Sequence, residues 1–163
     1  MSGTTKPTGY PQELGIQHLN DMLLVLGNGK LRAVKKGDKE ILKKHLKNGR
    51  AYGWWVGAEV LEKFNPQLIA YCIIKNADSD HPETMTQVHK SYRNMGYATY
   101  IRNYALAQRE FRGNIVYSAV RTDNPASLRS VLKSGFQVFD VTRDGFIQLV
   151  RVLPYERPEK QSR

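Results

Sequence analysis

The 163-residue sequence has little cysteine, no long apolar run and few acidic side chains. Its one cysteine, Cys72, excludes an intramolecular disulfide and a metal site built from several cysteines. Cys72 lies in the apolar run 68–74, which predicts a buried thiol. No run reaches the roughly 20 apolar residues of a membrane-spanning helix, and residues 1–7 lack the apolar stretch of a secretory signal. These absences predict a cytoplasmic protein that has no membrane partner.

Basic residues outnumber acidic ones, with 25 Lys and Arg against 15 Asp and Glu, so the formal net charge is +10. This charge attracts nucleic acid, acidic protein or the phosphates of a nucleotide alike. Much of it lies within residues 30–50, at Lys30, Arg32, Lys35, Lys36, Lys39, Lys43, Lys44, Lys47 and Arg50. A solvated helix face beside a strand explains this run better than a binding surface does. The run has no interleaved aromatic residues, which surfaces that bind single-stranded nucleic acid usually have. Nucleic acid is therefore a candidate partner that no motif supports.

The length and the 40% hydrophobic content fit one globular domain with an ordinary packed core. Residues 1–11 and 156–163 show no periodicity and are predicted to be flexible tails. Residues 12–155 are predicted to form the single domain between them.

The first half of the chain predicts one or two helices and a group of strands. Apolar spacing over residues 12–26 favours a helix that ends near Gly27, although Asn28-Gly29 also suits a hairpin turn. Alternation over residues 31–34 predicts a strand, and Asp38 is a plausible cap for the helix that follows. Segments 52–61, 68–75 and 85–90 predict an antiparallel meander with turns at Asn65-Pro66 and at residues 78–82.

The second half predicts a βαβ unit. Helical spacing follows Gly96 and stops at Gly113, and residues 114–120 form a β-branched run. A strand, a helix and a second strand in this order place the two strands parallel. Asn124-Pro125 then begins a helix, and segments 136–141 and 146–153 form a hairpin. The predicted fold class is therefore α/β (α+β), with a central mixed and mostly antiparallel sheet.

The segment Arg93-Asn94-Met95-Gly96-Tyr97-Ala98 lies where a predicted strand ends and a helix begins. Backbone N–H groups at a helix start have no intrahelical partner, and the helix dipole adds partial positive charge there. Gly96 and the small Ala98 allow close approach of a diphosphate, and Arg93 can add a charge-assisted contact. The segment predicts a pyrophosphate-binding turn.

This segment resembles the Gln/Arg-x-x-Gly-x-Gly/Ala signature of the GNAT superfamily of acyl-CoA-dependent N-acyltransferases. Val88, five residues before Arg93, is similar to the end of that family's fourth strand. A second match is Asn124, which precedes Gly135-Phe136 at the family's usual spacing. The resemblance covers roughly residues 30–154, with helices on both faces of the sheet.

The resemblance implies that the fourth and fifth strands splay apart and hold the pantetheine arm of acetyl-CoA or another acyl-CoA between them. Val88 would then contact pantetheine, and Asn124 and Ser127 would lie near the distal part of the cofactor. The diphosphate would be held by Arg93, Asn94, Met95, Gly96, Tyr97, Ala98 and Thr99. Asn124 can equally be a plain helix cap.

The catalytic groups are less well defined. Many family members carry a Tyr acid seven residues after the Asn, but Val131 occupies that position. Glu83 and His89 are the candidate bases nearest to the expected thioester. Each also fits a plain structural role, as a loop carboxylate and a packing histidine, and a water chain could carry the proton instead.

The resemblance implies an N-acetyltransferase that moves an acetyl group from acetyl-CoA to a primary amine of a small molecule or protein by direct attack, without a metal. The net charge mildly favours an acidic acceptor. The alternative is a catalytically weak or inactive module of the same fold that binds a protein or nucleic acid through its basic surface.

Overall fold

A computed structural model describes residues 8–60, 63–108 and 115–154. Within these ranges the chain forms four α-helices: α1 (Leu19–Leu26), α2 (Asp38–Asn48), α3 (Tyr97–Ala107) and α4 (Pro125–Lys133). It also forms seven strands: β1 (Tyr10–Leu14), β2 (Arg50–Val60), β3 (Lys63–Lys75), β4 (Glu83–Val88), β5 (Ile115–Arg121), β6 (Gln137–Val141) and β7 (Phe146–Val152).

The seven strands form one sheet in the order β1-β2-β3-β4-β5-β7-β6. Neighbouring strands are antiparallel except β4 and β5, which are parallel and joined through α3. This arrangement confirms the predicted fold class, a mixed and mostly antiparallel sheet with one βαβ unit.

Apolar side chains alternate between the two faces of the sheet and build a core on each. One core includes Trp54 and Ile101 and lies beneath α3 and α4. The other includes Trp55 and Met22 and lies beneath α1 and α2. Adjacent strand residues point to opposite faces, which explains the separation of the two tryptophans. Cys72 is fully buried, as predicted, and burial raises the pKa of its thiol.

The predicted helix over residues 12–26 is wrong in its first half. Residues Tyr10–Leu14 form β1, which pairs antiparallel with β2 from Tyr10 opposite Trp55 to Leu14 opposite Ala51. The hydrogen bonds to β2 override the weak helical spacing of this segment. The predicted tail through residue 11 is therefore wrong at Tyr10 and Pro11, whereas the end of the helix near Gly27 is confirmed.

The predicted strand at residues 31–34 is also wrong, because Leu31–Ala33 form a single 3₁₀ turn. The chain folds back on itself there: Lys30 N donates to Gly27 O over 3.1 Å, and Val34 N donates to Leu31 O over 3.1 Å. The side chains of Leu31, Arg32 and Ala33 are exposed, so this segment has no apolar face to place against the sheet.

Two predicted strand boundaries also shift. Asn65-Pro66 lies within β3, where Pro66 pairs with Gly57 of β2, so the expected turn is not there. β4 ends at Val88, and His89 and Lys90 belong to the turn that follows. The predicted C-terminal tail, 156–163, and the predicted helix end at Gly113 lie outside the described residues.

Among the described helices, none is both long enough and apolar enough to cross a lipid bilayer.

Candidate functional site

Strands β4 and β5 lie side by side but share only one register pair, Glu83 with Tyr117. The backbone N–H of Tyr117 donates to Pro82 O over 2.9 Å at this point. Toward the Val88 end of β4, no further pair joins the two strands. The strands are splayed, as predicted, so a gap separates them from Thr84 to Val88.

The chain makes a tight turn where the gap opens. Residues Lys90–Tyr92 form a 3₁₀ turn, Asn94 has a φ of 65°, and Gly96 has a φ of 87° and is the N-cap of α3. A side chain is strained at such a φ, and a Cβ on Gly96 would lie 3.2 Å from Tyr100 Cε2. Glycine therefore allows the backbone to turn into the helix while leaving the space in front of it open.

A cleft of about 650 Å³ lies in front of this turn. It is bounded by the end of β4, the first two turns of α3 and one face of α4. Its lining residues are Thr86, Gln87, Val88, Tyr92, Arg93, Asn94, Gly96, Tyr97, Ala98, Thr99, Arg102, Asn124, Ala126, Ser127, Arg129, Ser130 and Lys133. We call this volume the α3/α4 cleft.

The charges of the α3/α4 cleft all have one sign. Four of its lining residues are cationic, namely Arg93, Arg102, Arg129 and Lys133. No lining residue is Asp or Glu. The amino-terminal ends of α3 and α4 both border the cleft and add their unpaired N–H groups and partial positive charge. Such a cleft suits a ligand with several negative charges.

Nine of the ten predicted cofactor-binding residues line the α3/α4 cleft. They are Val88, Arg93, Asn94, Gly96, Tyr97, Ala98, Thr99, Asn124 and Ser127. Met95 is the exception, because its side chain is 59% exposed and does not line the cleft. The structure therefore brings together two segments that the sequence separates by about thirty residues, with Met95 outside.

Arg93 braces the turn as well as bordering the cleft. Its Nε donates to Val88 O over 3.2 Å, and its Nη2 donates to Asn28 Oδ1 over 3.2 Å. Asn28 Oδ1 also accepts from Lys90 N over 3.1 Å. The loop after α1 thus supports the turn after β4 through one side-chain oxygen.

Asn124 has the capping role that its position predicts. Its Oδ1 accepts from Ser127 N over 3.1 Å and closes the first turn of α4. Asn124 and Ser127 both line the cleft, so the cap fixes the end of α4 that faces the turn of Gly96.

The two candidate bases lie outside the lining of the α3/α4 cleft and at opposite ends of β4. His89 is buried, and its Nδ1 accepts from Ser91 N over 3.1 Å, which holds the turn after the strand. Glu83 lies at the start of the strand, 3.4 Å from Lys75 Nζ. Six residues of extended chain separate them by roughly 20 Å. The structure does not bring these two residues to one site.

Val131 is 2% exposed and packs in the core beneath α3 and α4. Its side chain faces the sheet, so its position in α4 does not lead to the cleft. Valine has no proton to donate, and a side chain at this position would not reach the cleft.

Eight residues that line the cleft were not predicted from the sequence: Thr86, Gln87, Tyr92, Arg102, Ala126, Arg129, Ser130 and Lys133. The last five lie on α3 and α4. Helical spacing could have indicated them. Arg102 lies three and four residues beyond Thr99 and Ala98, and residues 126, 129, 130 and 133 recur at the spacing of one face of α4. Among the described residues, no group of three or more His, Cys, Asp or Glu is placed to hold a metal ion.

Comparison with known proteins links this fold to acetyltransferases. The ribosomal-protein-S18-alanine N-acetyltransferase of Escherichia coli superposes with a TM-score of 0.67 at 15% identity, over 93% of this chain and 97% of the other. An N-acetyltransferase of Staphylococcus aureus Mu50 gives a TM-score of 0.65 at 12% identity, over 91% and 100%. A spermidine N-acetyltransferase SpeG mutant of Vibrio cholerae gives 0.62 at 14% identity, over 88% and 94%.

No family model matches the sequence, and no curated protein matches it. The structural likeness nevertheless extends over nearly the whole of each compared chain. The chain has the GNAT fold, which confirms the resemblance that the two motifs indicated.

Proposed function

We propose that the chain is an N-acetyltransferase that transfers an acetyl group from acetyl-CoA to a primary amine. The observation that carries the proposal is the α3/α4 cleft, which has four cationic side chains and no carboxylate among its lining residues. It borders the carboxyl-terminal half of β4, which has no register partner in β5. A coenzyme A molecule combines a polyanionic end with a thin polar arm, and these two features suit the cleft and the gap respectively.

The residues divide between the two ends of the cosubstrate. The turn from Arg93 to Thr99 and the start of α4 would hold the phosphates through backbone N–H groups and cations. The backbone of Val88 and its neighbours would bond the pantetheine amides as an additional strand would. The thioester would then lie between β4 and β5, toward the pair Glu83 and Tyr117.

In the proposed reaction the neutral amine nitrogen attacks the thioester carbonyl. A C–N bond forms, the C–S bond breaks, and coenzyme A leaves as a thiolate. The amine loses one proton and the thiolate takes one up. Because Val131 offers no acid, water protonates the thiolate in this scheme.

Of the two candidate bases, Glu83 fits the reaction better than His89. His89 is buried, and its Nδ1 is already occupied as an acceptor from Ser91 N. Glu83 lies where the splayed strands meet, which is the inner end of the gap. We assign it the uptake of the amine proton, directly or through water.

The acceptor that we propose carries negative charge. The loop at Asn28, which supports the turn after β4, continues into the exposed cations Lys30, Arg32, Lys35 and Lys36. These cations lie beyond the carboxyl end of β4, and a positive surface there would attract an acidic acceptor and repel a polyamine.

Calorimetric titration with acetyl-CoA tests cofactor binding, and we expect saturable binding in the micromolar range or just above it (about −7 to −8 kcal/mol). Incubation with acetyl-CoA and cell extract, followed by mass spectrometry, would then identify acetylated products. Absence of binding at millimolar acetyl-CoA would exclude the proposal.

A second candidate function is a binding module that holds acyl-CoA or a macromolecule without catalysis. The burial of Val131 favours it, because the position of the usual acid is closed off from the cleft. Thiol release from acetyl-CoA that stays at background with pooled amines and acidic peptides, despite tight cofactor binding, would support this alternative.

A further inference from the structure

Arg102 is a buried cation in the middle of α3. Its relative exposure is 3%, although it also borders the α3/α4 cleft. Its Nη1 donates to Ser130 O over 3.1 Å, to Ser130 Oγ over 3.0 Å and to Ser134 Oγ over 2.9 Å. One nitrogen of the guanidinium is therefore saturated by α4.

A second nitrogen of the guanidinium has no such partner. Arg102 Nε is buried and has no hydrogen-bond partner among the described residues. No ion pair joins Arg102 to a carboxylate within the same residues, and its neutral neighbours on α4 are serines. Burial lowers the pKa of the Arg102 guanidinium, but arginine stays protonated in proteins. The positive charge is thus buried without a compensating anion.

An unpaired buried charge and an unmet buried donor both oppose folding. An anion bound in the adjacent cleft would relieve the first of these costs, because it would compensate the charge of Arg102. The cleft itself has no carboxylate to take this part.

We propose that Arg102 is a ligand-binding residue of the α3/α4 cleft that recognises a phosphate group of the bound acyl-CoA. This inference rests on the proposed function and adds a residue outside the Arg93 turn. The bonds from Nη1 to Ser130 and Ser134 hold the guanidinium in place, and its positive charge acts on the ligand.

Arg151 provides a matched control. Its Nη1 donates to Ser134 O over 2.7 Å, so it also anchors the end of α4, but it does not line the cleft. Removing Arg151 tests what anchoring of α4 contributes to ligand binding. Removing Arg102 tests anchoring and charge together.

The experiment compares the wild type with Arg102→Met, Arg102→Lys and Arg151→Met. Each protein is titrated with acetyl-CoA, with S-acetylpantetheine, which has no phosphate, and with inorganic pyrophosphate, and its melting temperature is recorded. We expect Arg102→Met to weaken acetyl-CoA and pyrophosphate at least tenfold while changing S-acetylpantetheine less than twofold. Arg102→Lys should keep part of the affinity, and Arg151→Met should keep nearly all of it.

Equal weakening of acetyl-CoA and S-acetylpantetheine would overturn the inference, since it would show a purely structural role. An Arg151→Met variant that loses as much acetyl-CoA affinity as Arg102→Met would do the same. If S-acetylpantetheine binds too weakly to titrate, unchanged pyrophosphate affinity in Arg102→Met decides against the inference. If Arg102→Met does not fold, the acetyl-CoA affinity of Arg102→Lys is compared with that of the wild type. Equal affinities would then overturn the inference. Failure of the wild type to bind acetyl-CoA would instead overturn the proposed function, and this inference with it.

Discussion

The two ends of β4 differ in structure and in charge. At its carboxyl end, after Val88, the strand has no partner in β5, and the turn of Asn94 and Gly96 leaves space for a ligand. At its amino end, Glu83 pairs with Tyr117 and forms an ion pair with Lys75. One end is open and cationic, and the other is closed and charge-neutralised.

This difference separates binding from chemistry. The open end depends on backbone conformation and on cations that converge from two helices, which are features of a site for a charged ligand. The closed end offers a carboxylate beside the place where the reacting group of such a ligand would come to rest. Loss of function at each end should therefore be seen in different measurements, affinity at the open end and rate at the closed end.

The largest expected effect is at the open end, for Gly96→Val. A β-branched residue at a φ of 87° is strained, and its side chain would meet Tyr100 and distort the turn that borders the cleft. We expect acetyl-CoA affinity to fall at least about 100-fold, or about 2.7 kcal/mol, measured by calorimetry.

Gly37→Val is the matched control for Gly96→Val. Gly37 is also a helix N-cap in the left-handed region, at a φ of 96°, but a Cβ there has no neighbour within 4 Å. Both variants should lose stability in thermal denaturation through the same backbone strain, and Gly96→Val should lose more because of its contact with Tyr100. Retained acetyl-CoA binding by Gly96→Val, or equal loss in Gly37→Val, would contradict the role of the turn.

At the closed end, Glu83→Gln should lower kcat by about 100-fold with little change in acetyl-CoA affinity, because general bases typically contribute that much or more. The measurement is the rate of thiol release with the acceptor found by mass spectrometry. Lys75→Gln removes the ion-pair partner and keeps the carboxylate, so it should preserve most of kcat. An unchanged kcat in Glu83→Gln would assign the proton to a water chain.

A smaller effect at the open end is expected for Asn28→Gly. The change removes the Oδ1 that accepts from Lys90 N and from Arg93 Nη2, and glycine tolerates the φ of 54°. We expect acetyl-CoA to bind about five to ten times more weakly, as the loss of about 1 kcal/mol would produce.

Asn76→Gly is the control, since Asn76 has a φ of 53° and lies next to Lys75, at the closed end. It should leave acetyl-CoA affinity unchanged. If the two variants bind alike, the loop after α1 does not support the turn.

The smallest effect concerns pH at the closed end. Burial, then the charges of Lys75 and Lys44, lower the pKa of His45 below 6.5, and Glu83 opposes them. The folded protein therefore takes up this proton less readily than the unfolded chain, so stability falls as pH drops from 6.5 toward the folded pKa. Melting temperatures from about pH 7.5 to about pH 5 should fall less steeply in His45→Gln than in the wild type. Parallel curves would show that His45 does not contribute.

Some elements of the fold could be predicted because their signals are local. Gly96, Asn124 and Pro125 mark helix starts through the φ or cap that each position needs. The βαβ unit follows from the order of its elements. The strand at Tyr10–Leu14 could not be predicted in this way, because only its pairing with β2 makes it a strand. The 3₁₀ turn at Leu31–Ala33 carries an alternation typical of a strand, but it has no sheet edge to join.

The same distinction applies to the site. The sequence by itself determined the turn at Gly96 and the cap of α4, because backbone conformation at Gly96 and Asn124 depends on the residues there. Only the tertiary structure decided that Arg102, Arg129 and Lys133 join them in one cleft without a carboxylate, and that Val131 faces the core. Those features depend on how α3 and α4 pack over the sheet, and packing is a property of contacts between distant parts of the chain.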